Sequence, residues 1–214
     1  MHQPCLPRRQ SGFTLIEIAI VLVIIGLLLG GILKGQELIT QGRIRNVAND
    51  FQSMTAAINL YQDRYRALPG DDSTAGTRWA VAGTAATSGD GDGVIEGTYN
   101  SAANTDESRK FWHHLRHAGL VGGATTSGDV GTANPPNAAN GITGVQTGAF
   151  GITGIVVCSN NLPAKIAQAV DTQFDDGLSA TGSVRAATGT DASVAVAANY
   201  VDDGTSTYVV CKAP

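Results

Sequence analysis

Two hydrophobic patterns follow one another without a break near the N-terminus. Residues 13–33 are apolar almost throughout, with Thr14 and Glu17 as the polar exceptions. These 21 positions would span about 31 Å as a helix, enough to cross the hydrocarbon layer of a membrane. Past Lys34 the apolar positions become periodic: Ile44, Val47, Phe51, Met54, Ile58, Tyr61 and Tyr65. Alternating steps of three and four draw one stripe along a helix. Arg43, Arg45, Asn49, Asp50, Gln52, Asn59, Gln62, Asp63 and Arg66 fill the other faces. The first proline after the apolar run is Pro69, and Pro69-Gly70 is a turn signal. The pattern therefore predicts one helix from Phe13 to about Arg66, roughly 80 Å long. Its first half suits lipid. Its second half suits packing on a globular domain better than a free coiled coil, because its flanks carry few charges.

Residues 70–105 and 121–141 are rich in Gly, Ala, Thr, Ser, Asn and Asp and read as long loops. Between them Glu107 to Ala118 reads as a helix, with Phe111, Leu115 and Ala118 on one face, Trp112 beside them, and Gly119 as its stop. Residues 142–157 hold short β-branched runs broken by glycines. Asn161-Leu162-Pro163 is a candidate helix start that would bury Leu162, Ile166, Val170 and Phe174. Ala192 to Val196 alternates like a strand, Tyr208-Val209-Val210 reads as another, and Asp203-Gly204 is a turn signal between them. The C-terminal part is thus expected to be a small antiparallel sheet with helical insertions.

The order of parts at the N-terminus is informative. Arg8-Arg9-Gln10-Ser11-Gly12 comes before Phe13-Thr14-Leu15-Ile16-Glu17, and the apolar run follows. A secretory signal would put its small-residue cleavage site after the apolar run. A carboxylate at a membrane helix centre costs about 2.5–3.5 kcal/mol on insertion scales, and such residues usually serve a function. This arrangement resembles the leader and first helix of type IV pilins and the pseudopilins of type II secretion. The resemblance implies cleavage after Gly12 by a prepilin peptidase and methylation of the new Phe13 amino terminus. It places Glu17 fifth in the mature chain and gives it a role in assembly. Many members carry a proline about 22 residues into the mature helix; here that position is Lys34, in a region crowded with Gly26, Gly30, Gly31 and Gly35. Gly26/Gly30 and Gly31/Gly35 could let helices approach closely or simply loosen this one. Ala67-Leu68-Pro69-Gly70-Asp71, Gly89-Asp90-Gly91-Asp92-Gly93 and Phe174-Asp175-Asp176-Gly177 also resemble a bacterial pilin-like subgroup with large exterior domains.

Charge narrows the partners. The chain has 14 Lys+Arg against 18 Asp+Glu. Without residues 1–12, which hold Arg8 and Arg9, it has 12 against 18, a net charge of −6. Nucleic acid is an unsuitable partner for such a surface, since phosphate binding needs clustered cations. Arg8 and Arg9 lie on the short side of the anchor, so the positive-inside rule puts residues beyond Lys34 outside the cytoplasm. Cys5 lies in the leader, which leaves Cys158 and Cys211 as one pair, at what read as strand ends, expected to form a disulfide in an oxidising compartment.

Candidate chemistry is sparse. Asp90-Gly91-Asp92-Gly93-Val94-Ile95-Glu96 resembles the centre of an EF-hand loop, with alternating carboxylates and a turn glycine. Asp90, Asp92 and Glu96 are therefore candidate ligands for Ca2+. The loop is incomplete, with Ser88 at its first position and Tyr99 at its twelfth, so a site would recruit a carboxylate from elsewhere, such as Asp175 or Asp202. A solvated Asp-Gly turn is the alternative. His113 and His117 have a spacing that can hold a metal, but no third ligand follows, and an exposed histidine face is expected. No pattern for nucleophilic catalysis or phosphate binding is present, so an enzyme is not expected.

Together these observations predict an α+β, pilin-like protein with a long N-terminal helix packed on a small antiparallel sheet. Residues 1–12 would be a cleaved leader and 13–34 a transmembrane and assembly helix. Residues 35–68 would be an amphipathic helix and 69–214 a loop-rich exterior domain. The resemblance implies a filament subunit of a pilus or secretion pseudopilus, anchored in the inner membrane before assembly. Its partners would be related pilin subunits, the prepilin peptidase and the inner-membrane assembly machinery. A membrane-anchored binding or adhesive domain that never polymerises is the alternative.

Overall fold

The structure, a computed structural model, describes residues 12, 14–194 and 196–214. Cys5, Arg8, Arg9 and the rest of residues 1–11, together with Phe13 and Ala195, lie outside the described residues. Helix α1 runs Leu15–Tyr65 without interruption, as the absence of proline predicts. The chain divides into two compact units after Gln41.

In the first unit α1 is the one helix among the described residues long and apolar enough to cross a membrane. Its apolar side chains, Leu15 to Leu33, are all exposed. Gly26, Gly30, Gly31 and Gly35 have open space where a Cβ would stand. Lys34 and Glu37 pair at 2.6 Å just past the apolar run, an exposed ion pair that marks where charge begins.

The second unit holds the rest of α1, helices α2 (Ala75–Arg78), α3 (Glu107–His117), α4 (Asp129–Thr132) and α5 (Ala164–Phe174), and four strands. The strands are β1 (Thr143–Ala149), β2 (Ile152–Pro163), β3 (Val184–Thr188) and β4 (Thr207–Lys212). They form one antiparallel sheet in the order β1-β2-β4-β3. A two-residue turn joins β1 to β2 with Phe150 and Gly151 both at positive φ, the geometry that matches the strand twist. Strand β3 was not expected. It takes the edge beside β4, whereas Ala192, Ser193, Val194 and Val196, which were expected in a strand, lie outside the sheet.

Side chains alternate across the sheet. Val145, Val157, Val184, Ala186, Tyr208 and Val210 face the helices. There they meet Val47, Phe51, Met54, Ile58 and Tyr61 of the α1 stripe, Phe111, Trp112 and Leu115 of α3, and Ile166 and Val170 of α5. Ile44 and Tyr65, at the ends of the stripe, are partly buried. Phe174 meets Phe51 edge-on, with ring centroids 6.2 Å apart. The opposite face carries Val156, Cys158, Val209 and Cys211 under Tyr99, Phe150 and Ala192. A bulge between Ser159 and Leu162, with Asn161 at φ 57°, turns Leu162 back toward the helices. Leu162 therefore ends a strand rather than opening α5, which begins one residue after Pro163.

Helix α3 ends as its glycine predicts. Gly119, at φ 70°, donates its N–H to Arg116 and Leu120 donates to Leu115, closing a Schellman cap. The exposed histidine face does not form: His113 and His114 are buried. The reason is that the loops on both sides of α3 fold over it. His114 Nδ1 accepts the Gly70 N–H at 2.9 Å, and His114 Nε2 lies 2.8 Å from the Thr87 carbonyl. These partners require the neutral tautomer with its proton on Nε2. Burial holds this imidazole at about 4.

Candidate assembly segment and acidic loop cluster

The start of α1 is built by a reciprocal cap. Thr14 N–H and Thr14 Oγ1 donate to Glu17 Oε2 at 2.8 and 2.7 Å. Glu17 N–H in turn donates to Thr14 Oγ1 at 3.3 Å. This is a capping box, and it satisfies donors that a helix start leaves open. It also gives the Glu17 carboxylate two partners inside its own chain. The signal was present in the sequence as Thr14-x-x-Glu17, but the membrane reading of Glu17 obscured it. Gly12 is exposed, with open space where a Cβ would stand. Phe13, the other residue of the expected cleavage point, is outside the described residues.

Cys158 and Cys211 are directly opposed on β2 and β4 and form a disulfide, with Cα atoms 4.0 Å apart. Cys158 lies inside β2 rather than at a strand end, because β2 runs on to Pro163. The two cysteines lie 53 positions apart, with α5 and β3 between them.

The loop after Tyr65 organises the second unit. Gly70, at φ 94°, sits where a Cβ would meet the Glu107 carbonyl at 2.6 Å, so only glycine fits. Asp72 is buried and accepts from Tyr61 Oη at 2.7 Å, from Arg78 Nη1 at 2.5 Å and from Thr74. Burial pushes its carboxyl up, but these donors outweigh it and bring the carboxyl down to about 2. Arg78 also lies over the Tyr65 ring, 4.2 Å from its centroid. Asp72, Tyr61 and Arg78 do not stand out as a set in the sequence, because Tyr61 lies eleven positions before Asp72 and further still before Arg78.

Asp71 holds the acidic loop. Its carboxylate accepts from the N–H groups of Gly91, Asp92 and Gly93 at 2.6, 3.1 and 2.9 Å. Gly91 and Gly93 have positive φ, which turns their amides inward. Asp90 and Asp92 each accept an N–H from two residues on, at 3.2 and 2.8 Å, as Asx turns do. Asp90, Asp92 and Glu96 come together as the sequence suggested, and all three are exposed. A second group forms around Asp90 with Asp71 and Glu107, both buried. Within each group the ligand oxygens lie within 4.8 Å of one another. The EF-hand frame itself is absent. Ser88 accepts the Gly76 N–H, and Tyr99 is buried with its hydroxyl donated to Thr190. Asp175 caps Ser183 and Val184, and Asp202 faces Lys165 at 3.6 Å, so neither joins the cluster. Asp71 and Glu107 take their place. Burial raises the Asp71 carboxyl, with the loop amides opposing it. Burial, and then the neighbouring Glu96 carboxylate, push Glu107 up to about 8.

His113 and His117 do meet, Nε2 to Nε2 at 3.1 Å. His113 Nε2 also lies 3.0 Å from the Thr125 carbonyl, and His117 stacks on Trp79. Among the described residues no third Asp, Glu, His or Cys completes a metal group with them.

A family model described as the prokaryotic N-terminal methylation motif matches residues 7–33. This chain carries the prokaryotic N-terminal methylation motif. The match covers Gly12, Phe13 and Glu17 and supports the type IV pilin and pseudopilin family. No curated protein and no solved structure matches the chain. The methylation motif points to a structural rather than a catalytic protein. It also implies processing by prepilin peptidase and assembly with pilin subunits. The motif and the one long apolar helix fit inner-membrane anchoring before filament assembly.

Proposed function

We propose that this chain is a subunit of a type IV pilus-like or type II secretion filament. Prepilin peptidase cuts after Gly12, Phe13 is methylated, and the mature chain polymerises through the first half of α1. The observation that carries this reading is the methylation motif lying directly on an exposed apolar helix with one carboxylate in its first turn. In the membrane the capping box offers Glu17 its partners at no cost in new contacts. In a filament the Phe13 ammonium of an incoming subunit offers Glu17 of a neighbour a full charge, which is worth more in lipid than a hydroxyl. That exchange fixes the axial register between subunits. The second unit then coats the filament outside the cytoplasm, where the Cys158–Cys211 bridge is stable.

Expression with and without a prepilin peptidase tests this. Intact mass and N-terminal sequencing of the purified chain should show an N-methylated Phe13 only when the peptidase is present. Filaments containing this chain should then be visible by electron microscopy. An unprocessed N-terminus in the presence of an active peptidase would defeat the reading. A processed chain that stays a membrane monomer with its assembly machinery present would favour the anchored binding domain instead.

A further inference from the structure

We propose that Asp71, Asp90, Glu96 and Glu107 form a site for one calcium ion, which locks the loop of residues 89–97 onto the start of α3. The inference is independent of the filament reading.

Glu107 is the decisive residue. It is 3 % exposed, yet it lies in the first turn of α3, grouped with the Asp71 and Asp90 carboxylates. Its Oε1 accepts the Asp90 N–H at 3.0 Å. Its Oε2 is buried and has no hydrogen-bond partner among the described residues. The Glu96 carboxylate stands within hydrogen-bonding reach of it, but two ionised carboxylates have no proton to share. None of Asp71, Asp90, Asp92, Glu96 and Glu107 has a Lys or Arg partner among the described residues. A buried charge left this way is strongly unfavourable, and it must take up either a proton or a cation.

The donor set favours a cation, and calcium among cations. Every candidate ligand is a hard oxygen, and no histidine or cysteine stands among them. Calcium accepts six to eight oxygens at about 2.3–2.6 Å in a flexible geometry, which suits carboxylates gathered from a turn, a loop and a helix. The Asp71, Asp90 and Glu107 group and the Asp90, Asp92 and Glu96 group share Asp90. Magnesium demands a near-ideal octahedron at about 2.0–2.1 Å and gives up its waters reluctantly. Asp90 belongs to both groups and is exposed, so an ion can reach the buried Glu107 past it. Gly89 lets the loop come this close: a Cβ there would meet Asp71 Cα at 2.4 Å and Glu107 Oε1 at 2.5 Å. Asp92 stands at the rim, with one oxygen committed to Val94 N–H. The ion joins three parts of the chain, the turn after α1, the loop and α3, that otherwise meet through Asp71 and a few backbone bonds.

The test uses the full chain in detergent, stripped with a chelator and titrated with calcium chloride alone. Calorimetry should show one ion bound per chain, and the melting temperature should rise by several degrees at millimolar calcium. Glu107→Gln keeps the side-chain shape and the Asp90 contact. It should weaken calcium binding at least tenfold while melting higher than the parent in chelator, since it removes the uncompensated carboxylate. Asp90→Asn, at an exposed position, should weaken binding similarly and decides the matter if Glu107→Gln does not fold. Asp63→Asn, on the exposed side of α1, should bind as the parent does. The proposal is overturned if the parent chain shows neither heat nor a rise in melting temperature, as a proton shared by Glu96 and Glu107 would predict. It is equally overturned if Glu107→Gln or Asp90→Asn binds with an unchanged midpoint. An equal response to magnesium at the same concentration would overturn the calcium assignment.

Discussion

Residues 15–41 and 42–65 belong to the same helix and obey opposite rules. Both halves make the same backbone hydrogen bonds. The first carries apolar side chains on every face and buries none of them within its own chain. The second carries one apolar stripe and buries it from Val47 to Tyr61 against α3, α5 and the sheet. The difference teaches that helix formation and helix burial are separate questions. The backbone settles the first locally. The second depends on what covers the surface, and for the first half that cover must come from lipid or from other subunits.

The sharpest way to break this comparison is at Glu17. Glu17→Ala should leave cleavage and the second unit intact and abolish or randomise filament assembly. Normal filaments from that variant, seen by electron microscopy, would remove Glu17 from the assembly scheme. The counterpart in the second half is Phe51→Ala. Phe51 is fully packed, so the variant should lose about 3–5 kcal/mol of domain stability in denaturant titration. It should still be cleaved after Gly12, since the two halves are covered by different partners.

The disulfide should rank next. Opening a loop of 53 residues costs about 4 kcal/mol by loop-closure entropy, with strain and residual structure able to change that figure. Cys158→Ala with Cys211→Ala should therefore melt well below the parent, and free-thiol labelling of the mature parent should find none. Two reactive thiols in the folded parent would contradict the bridge.

A pH test isolates His114. The imidazole titrates near 6.5 in the unfolded chain and near 4 when folded. Between those values the unfolded chain binds the extra proton, so stability falls as pH falls. Relative to His114→Gln, the parent should lose about 3 kcal/mol between pH 7 and pH 4. Asp72 begins to lose its own stabilisation as pH falls toward the ordinary carboxylate value, at the lower end of this window, and cancels because both chains contain it. Glu107 acts in the opposite direction, losing stability as pH rises toward 8, and cancels in the comparison because both chains contain it. An unchanged difference across the window would mean that His114 is not held neutral. The smallest effect belongs to Thr14→Ala, which removes half of the capping box and should fray the first turn by about 1 kcal/mol. Hydrogen exchange of the first amides in detergent would show it.

The sequence by itself determined what depends on neighbours within a turn or two. The three-and-four spacing of Ile44 to Tyr65, the lack of proline between the apolar run and Pro69, Gly119 at the end of α3 and the β-prone run Tyr208-Val209-Val210 each act through local backbone geometry. Each could therefore be read as a pattern. Cys158 and Cys211 were legible as well, because they are the only two cysteines beyond residue 12. Tertiary structure decided what depends on segments far apart. Val184–Thr188 is a strand because β4 offers it a partner from a distant part of the chain. His113 and His114 are buried because loops from residues 70, 87 and 125 close over them. The acidic loop shows the limit most clearly. Asp90, Asp92 and Glu96 announce themselves by spacing, but Asp71 and Glu107 join them only when chain closure brings both to one point. No period in a sequence encodes such a meeting, since its free energy comes from packing of the whole unit rather than from any stretch of it.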